Sequence, residues 1–209
     1  MIHTPSGFKV FGHFSEIEDD HGTTHVVRSV LEIMTTDTAL DSLPDAVFVM
    51  MNPGSCEKID DSKQTADLPP TCNCVARPDN TQKRIIDLMT HLNWGHARIL
   101  NLSDLRNARS PEFYNLLPPF KDPIHSIFHG DRKAELQAYL KAKNNAPLIK
   151  AWGVNPKLKD LAKTALKVLP NSDFGLPHRE KVFGYYHPLP RDPNLREWWL
   201  SEMLKQLSQ

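Results

Sequence analysis

The feature that most restricts the fold of this chain is an alternation of short apolar runs with helical patterns from residue 46 onward. The apolar runs predict strands at residues 46–51, 97–102, 147–152 and 182–186. Apolar residues at helical spacing predict helices at residues 81–94, 131–143, from Pro156 onward, and at 194–207. Strands that alternate with helices form a parallel sheet covered on both faces, so the sequence predicts an α/β fold.

The first third of the chain follows a different pattern. Residues 9–14 and 25–34 are rich in β-branched and aromatic residues, and turn-forming residues separate them, which predicts an antiparallel hairpin. Residues 55–78 have neither periodicity nor an aromatic residue and are predicted to be a long loop. No linker divides the chain, so residues 1–209 are predicted to form a single domain.

The charge balance limits the partners. Lys plus Arg and Asp plus Glu both number 25, so the chain has no overall field that would draw it to nucleic acid, and any DNA contact must be local. No apolar run reaches the ~20 residues that a membrane span needs, and the first residues lack the pattern of a secretory signal. We therefore expect a cytoplasmic protein with no membrane contact and no obligate protein partner.

The three cysteines, Cys56, Cys72 and Cys74, lie in one short stretch, which is not typical of a secreted disulfide framework. Thiolates at short spacing could bind zinc together with His91 or His96. The spacing matches no common zinc motif, so we expect reduced thiols, no bound metal and no cofactor.

Each predicted strand ends in polar or turn-forming residues, and ligands of open α/β sheets bind at such ends. The ends are Asn52-Pro53-Gly54-Ser55, Asn101, Trp152-Gly153 and His187-Pro188. Each also has a structural explanation: Asn-Pro-Gly suits a β-turn, Asn101 suits a buried amide, and a histidine before proline can cap a strand. Their joint occurrence favours a site, with Asn52, Asn101 and His187 expected in one cleft.

The motifs VMMNPG at 49–54, DNT at 79–81, ILNLSDLR at 99–106, AWG at 151–153 and YYHPLP at 185–190 occur in that order. Together they resemble the uracil-DNA glycosylase superfamily, and more closely the bacterial and phage family called domain of unknown function 1643. The resemblance spans roughly residues 8–192. It implies a three-layer α/β/α fold with a four-stranded parallel sheet in the order 2-1-3-4 and an appended N-terminal β-hairpin.

The resemblance also implies a function, which is removal of an altered base from DNA by hydrolysis of its N-glycosidic bond. Asn52 would hold the water, and His187 would stabilise the departing base anion. Asn101 would read the edge of the base, and Gly54 and Ser55 would offer backbone N–H groups to phosphate. The remaining predicted substrate-binding residues are Pro53, Trp152 and Pro188.

Two features depart from the superfamily pattern. Residues 55–78 lack the aromatic residue that would stack on an extruded base, and Leu189 stands where a serine is common. Other stacking candidates are Phe11, Phe14, Tyr114 and Phe120.

Two other functions remain open from the sequence. One is a non-catalytic nucleic-acid or nucleotide-binding module, because an amide at Asn52 cannot act as a base. The other is a metal-dependent phosphodiesterase that uses Asp60, Asp61 and Asp79.

Overall fold

The computed structural model describes residues 5–59, 67–172 and 174–208. The strands in these residues are β1 (Phe8–Glu18), β2 (Thr24–Thr35), β3 (Ala46–Met50), β4 (Glu57–Lys58), β5 (Cys74–Arg77), β6 (His96–Asn101) and β7 (Leu148–Lys150). The helices are α1 (Asn80–Leu92), α2 (Ser110–Leu116), α3 (Lys133–Tyr139), α4 (Lys159–Val168) and α5 (Pro193–Leu207). Short 3-10 turns at Gly130–Arg132 and Pro156–Leu158 lead into α3 and α4.

The strands form one mixed sheet of seven in the order β4-β5-β1-β2-β6-β3-β7. β6, β3 and β7 are parallel, and the other neighbouring pairs are antiparallel. The chain is α/β overall, but the predicted four-stranded parallel sheet is wrong. The predicted hairpin is present as β1 and β2. It is not an appendage, because β2 pairs directly with β6.

The fourth predicted strand, residues 182–186, does not form. The edge of β7 is instead occupied by the segment around Phe174 and Gly175, where the Lys150 N–H donates to the Phe174 carbonyl at 3.2 Å. Residues 182–186 turn back onto that segment, and the Tyr186 N–H donates to the Leu176 carbonyl at 2.8 Å. Val182 and Phe183 lie in a turn, and Val182 is 88% exposed while Phe183 is buried, so the apolar run does not continue as a strand.

The predicted loop at 55–78 is also partly wrong, because it contains the short strands β4 and β5. β5 pairs with β1 and extends the sheet on the hairpin side. Its Cys74 and Ala76 are buried while Val75 and Arg77 are half-buried, and four residues are too few for this alternation to stand out in a sequence.

The core has two halves because successive residues of a strand face opposite sides of the sheet. Val47 and Val49 of β3 pack in one cluster with α2, α3 and α4, and Phe48 packs in the other with α1 and α5. The last helix contributes Trp199 and Met203 to the core, whereas Leu195 and Trp198 of its predicted apolar stripe stay exposed. None of the helices in the described part of the chain has the length and apolar character needed to cross a bilayer.

Helix α1 begins at the candidate site, which its first turn lines. Asp79 is its N-cap and accepts hydrogen bonds from the N–H groups of Thr81 and Gln82, and the Gln82 side chain in turn accepts from the Asp79 N–H. This capping box fixes the start of the helix. The helix ends at Leu92, before the predicted end at residue 94, and Asn93 caps it in a left-handed conformation with φ of 54°.

Candidate active site

A polar cavity of about 260 Å³ lies at the carboxyl ends of β3 and β6. The predicted site residues that line it are Asn52, Gly54, Ser55, Asn101 and His187. The structure therefore brings the three residues expected in one cleft to one cavity, while their chemical roles stay predictions. Helix α1 contributes its first turn, and the loop after β6 contributes Asn107 and Ala108.

Asn52 is held by the loop that follows β6. Its side-chain Nδ2 donates to the Asn107 carbonyl at 2.8 Å and to the Leu105 carbonyl at 3.4 Å. These bonds fix the amide so that Oδ1 faces away from the loop. Asn52 is half-buried and lines the cavity, so Oδ1 is an acceptor that a bound water can use.

Asn101 is completely buried and uses both of its amide atoms within the protein. Its Nδ2 donates to the Asn52 carbonyl at 3.2 Å, and its Oδ1 accepts from Arg28 Nη2 at 3.1 Å. Each amide atom of Asn101 is thus already engaged in one bond, and the base-reading role of Asn101 stays a prediction. Asn101 links the end of β3 to a buried arginine.

Arg28 lines the same cavity from β2 and was not predicted from the sequence. It is completely buried, and its Nη1 donates to the Pro53 carbonyl at 3.5 Å. Its Nε has no hydrogen-bond partner, and it forms no ion pair with any described residue. The cavity wall thus contains a buried guanidinium with no carboxylate partner among the described residues. The only signal in the sequence is that Arg28 interrupts an apolar run at 25–34.

His187 presents a neutral imidazole to the cavity. Its Nδ1 accepts a hydrogen bond from the Leu189 N–H at 3.1 Å, so the ring proton is on Nε2. Burial lowers the pKa of His187 below its ordinary value, against the opposing effect of the Asp79 carboxylate. At pH 7 the residue is therefore a neutral N–H donor.

The backbone of Gly54 and Ser55 lies against the Asp79 carboxylate. The Ser55 N–H donates to Asp79 Oδ2 at 3.3 Å, so this N–H is not free for the phosphate contact predicted for it. Gly54 has a φ of 65°, and a Cβ there would lie 2.3 Å from Asp79 Oδ2. Only glycine fits this turn, because both the backbone conformation and the close contact exclude a side chain.

A larger groove of about 770 Å³ opens beside the cavity and shares Met51, Ser110, His187 and Leu189 with it. Trp152 lines this groove but is completely buried, and its Nε1 donates to the Phe183 carbonyl at 2.8 Å. Pro188 is also buried. Both residues were predicted to bind substrate, but Trp152 is packed into the groove wall and Pro188 lines neither the groove nor the cavity.

A model of the family described as Protein of unknown function (DUF1643) matches residues 34–189, about three quarters of the chain. The chain belongs to this family. No curated protein and no solved structure matches it significantly. The DUF1643 match includes Asn52, Asn101 and His187 and begins after Arg28.

The three cysteines lie within the DUF1643 match and do not form a metal centre with other described residues. Burial raises the pKa of all three thiols, to about 12 for Cys72. His96, one of the two candidate fourth ligands, is bonded to Glu32 at 2.9 Å. The described part of this DUF1643 chain therefore gives no support to the zinc alternative.

The stacking candidates separate clearly in the structure. Phe11 and Phe120 are buried in the core, and Phe14 packs against the cluster on the α1 and α5 face. Tyr114 of α2 lines the groove beside the cavity. Tyr114 is therefore the candidate that a ligand in the DUF1643 site can reach.

A second cavity, of about 340 Å³, lies against the β1–β2 hairpin and is distinct from this site. Asp104 Oδ1 and His125 Nδ1 are buried there without hydrogen-bond partners. Burial raises the pKa of Asp104 to about 7, with Arg132 opposing the shift. Burial lowers the pKa of His125 to about 4.

His125 should make the fold sensitive to acid. The unfolded chain binds a proton at this residue below the ordinary histidine pKa of 6.5, but the folded chain does so only near pH 4, so stability is lost as the pH falls between these values. We expect this residue to account for a loss of roughly 2 kcal/mol in the free energy of unfolding. Urea unfolding of His125→Phe at pH 7 and pH 4.5 should show a smaller loss than the wild type.

The matched control for this prediction is His91→Phe, because His91 is exposed on α1. Its loss of stability over the same pH interval should equal that of the wild type. Equal losses for wild type and His125→Phe would contradict the role of the buried imidazole.

Proposed function

We propose that this protein hydrolyses the N-glycosidic bond of an altered base in DNA. The observation that carries the proposal is the composition of one cavity, which holds an acceptor for water and donors for an anion. The acceptor is the Asn52 amide, and the donors are the His187 imidazole and the Arg28 guanidinium, all three of which line the cavity. The resemblance to the uracil-DNA glycosylase superfamily in the motifs around Asn52 and His187 supports the same reaction.

The reaction needs two kinds of help from the protein. The bond between C1′ and the base nitrogen breaks with its electron pair moving to the base, and water then adds to C1′ while one of its protons leaves. Asn52 orients the water but does not take that proton, because an amide is not a base at this pH. The proton goes to the departing base or to solvent.

The negative charge that develops on the base is where His187 and Arg28 contribute. A neutral N–H at His187 Nε2 donates to the base without first losing a proton. The buried charge of Arg28 adds an electrostatic contribution that water does not screen. Preorganised donors of this kind stabilise the transition state more than the ground state, because the base carries no developing charge in the ground state.

The non-catalytic alternative is favoured by one observation, the lack of a free carboxylate among the described residues of the cavity. Asp79 is the carboxylate there, and its oxygens accept three backbone N–H groups. Because these hydrogen bonds occupy the Asp79 oxygens, they also weaken the phosphodiesterase alternative, in which Asp79 would bind a metal. Asp60 and Asp61, the other carboxylates of that alternative, lie outside the described residues.

The proposal is tested with oligonucleotides that each carry one altered base. We expect an abasic site to form with at least one of them, without added metal, and alkali should then cut the strand. Asn52→Ala should lower the single-turnover rate roughly 100-fold, because a misplaced water loses its attack geometry. Asn144→Ala, which changes an exposed amide away from the cavity, should leave the rate unchanged.

Each contrary outcome has a distinct meaning. Direct strand cuts that need a divalent metal would support the phosphodiesterase. Tight binding with no abasic site for any base would support the non-catalytic module. Excision that survives Asn52→Ala would keep the reaction but remove Asn52 from it.

A further inference from the structure

The groove beside the cavity has a charge pattern that the proposed reaction does not explain. It is lined by two cations, Lys157 and Arg191, and by no acidic residue. Both cations are exposed, and neither forms an ion pair with a described residue. The chain as a whole has a net charge of zero, so this local excess of positive charge suits an anionic ligand.

The same groove offers an aromatic face between these cations. Tyr114 is half-buried in its wall, and Lys157 Nζ lies 5.7 Å from the centre of the Tyr114 ring. Arg191 is close enough to oppose the rise in the Tyr114 pKa that burial causes. Aromatic side chains next to unpaired cations bind unpaired bases together with their phosphates.

We propose that this groove binds the nucleotide next to the reacting one in a single strand of DNA. Its base stacks on Tyr114, and its phosphate contacts Lys157 and Arg191. The inference rests on the proposed function, because the groove is continuous with the cavity through Met51, Ser110 and His187.

A single strand fits this groove better than a duplex for two reasons. A base reaches the Tyr114 ring only when it is unpaired, because a paired base stacks on its neighbours in the duplex. Two cations also match one or two phosphates, whereas duplex-binding proteins make roughly 6–10 phosphate contacts.

The test uses a short single-stranded oligonucleotide without altered bases, so that binding is measured separately from excision. We expect fluorescence anisotropy to show that Lys157→Gln/Arg191→Gln binds more weakly. The slope of log K against log salt concentration should also fall in magnitude by about 0.7, since one phosphate contact contributes about 0.7 on single strands. Lys163→Gln/Lys167→Gln removes two exposed charges from α4 outside the groove and should leave the slope unchanged.

The stacking contact is tested with a second pair of variants. Tyr114→Leu should lower the affinity roughly 5- to 100-fold, the range for loss of one stacked base, and Tyr114→Phe should stay within about twofold. A duplex of the same sequence should bind at least about tenfold more weakly.

The outcomes separate the two proposals. Unchanged slope for the groove variant, an equal change in the α4 control, or duplex binding as tight as single-strand binding would overturn the groove proposal. Normal single-strand binding with no excision of any altered base would overturn the proposed function and leave the groove proposal standing.

Discussion

His187→Ala is expected to lower the single-turnover rate of base excision by on the order of 100-fold or more. The variant removes the Nε2 donor that is proposed to act on the departing base and leaves Asn52 in place. His187→Gln keeps an N–H donor of similar reach and should recover part of the rate. A loss within about twofold for His187→Ala would correspond to less than 1 kcal/mol and would give the histidine a purely structural role.

The chain provides a matched control for this histidine. His178 has the same local hydrogen bond, because its Nδ1 accepts from the Glu180 N–H at 3.2 Å, but it does not line the cavity. It stacks on Tyr186 with ring centres 5.5 Å apart. His178→Ala should therefore leave the excision rate nearly unchanged, which separates loss of a turn contact from loss of the catalytic donor.

The pH dependence of excision gives an independent measurement. Burial lowers the pKa of His187, so the residue stays neutral as the pH falls through the ordinary histidine value. The single-turnover rate should show no inflection near pH 6.5, where an ordinary histidine titrates. An inflection there that His187→Gln removes would show that the ring titrates normally and that the neutral donor is wrongly assigned.

The location of the site could be predicted from sequence because it depends on local patterns. The apolar runs that became β3 and β6 end at Asn52 and Asn101, and parallel strands bring such ends together. His187 reaches the same place from an irregular turn and not from a strand end. The prediction placed His187 in the cleft as the end of a fourth strand, but it is a turn that brings this residue to the cavity.

The features that sequence reasoning missed depend on contacts between distant segments. β2 pairs with β6 in an antiparallel register, which carries Arg28 under the cavity, and no local pattern specifies that pairing. The hydrogen bonds that occupy Asn101 follow from the same pairing. At residues 182–186 an apolar run predicted a strand, but a turn at Val182 and Phe183 forms instead, closed by the bond from the Gly184 N–H to the Lys181 carbonyl.

Two buried arginines lead to the second prediction. Arg98 is 5% exposed, and its Nε donates to Glu32 Oε1 at 2.7 Å. Arg98→Met should cost about 3–5 kcal/mol, because it leaves the Glu32 carboxylate buried without its guanidinium partner. Arg28 has no such partner among the described residues, and its two hydrogen bonds are long, at 3.1 and 3.5 Å.

Arg28→Met should therefore change the free energy of unfolding much less, by about 1 kcal/mol or less in either direction. Loss of the guanidinium leaves Asn101 Oδ1 unpaired, which costs about 1–3 kcal/mol. The same change removes the cost of burying an unpaired charge, which is several kcal/mol. Urea unfolding of both variants measures the contrast. The two variants should rank in the opposite order in the excision rate of the folded protein. This rate should fall roughly 100-fold for Arg28→Met and little for Arg98→Met.

This crossed pattern is what distinguishes a functional charge from a structural one. A buried guanidinium without an anionic partner lowers stability, so its place beside Asn52 and His187 is best explained by an anion that forms during the reaction. If Arg28→Met destabilises the fold as much as Arg98→Met, Arg28 is a structural residue whose partner is the protein itself. If stability is kept and excision is also kept, the charge does not act on the departing base, and His187 alone has to supply the donor.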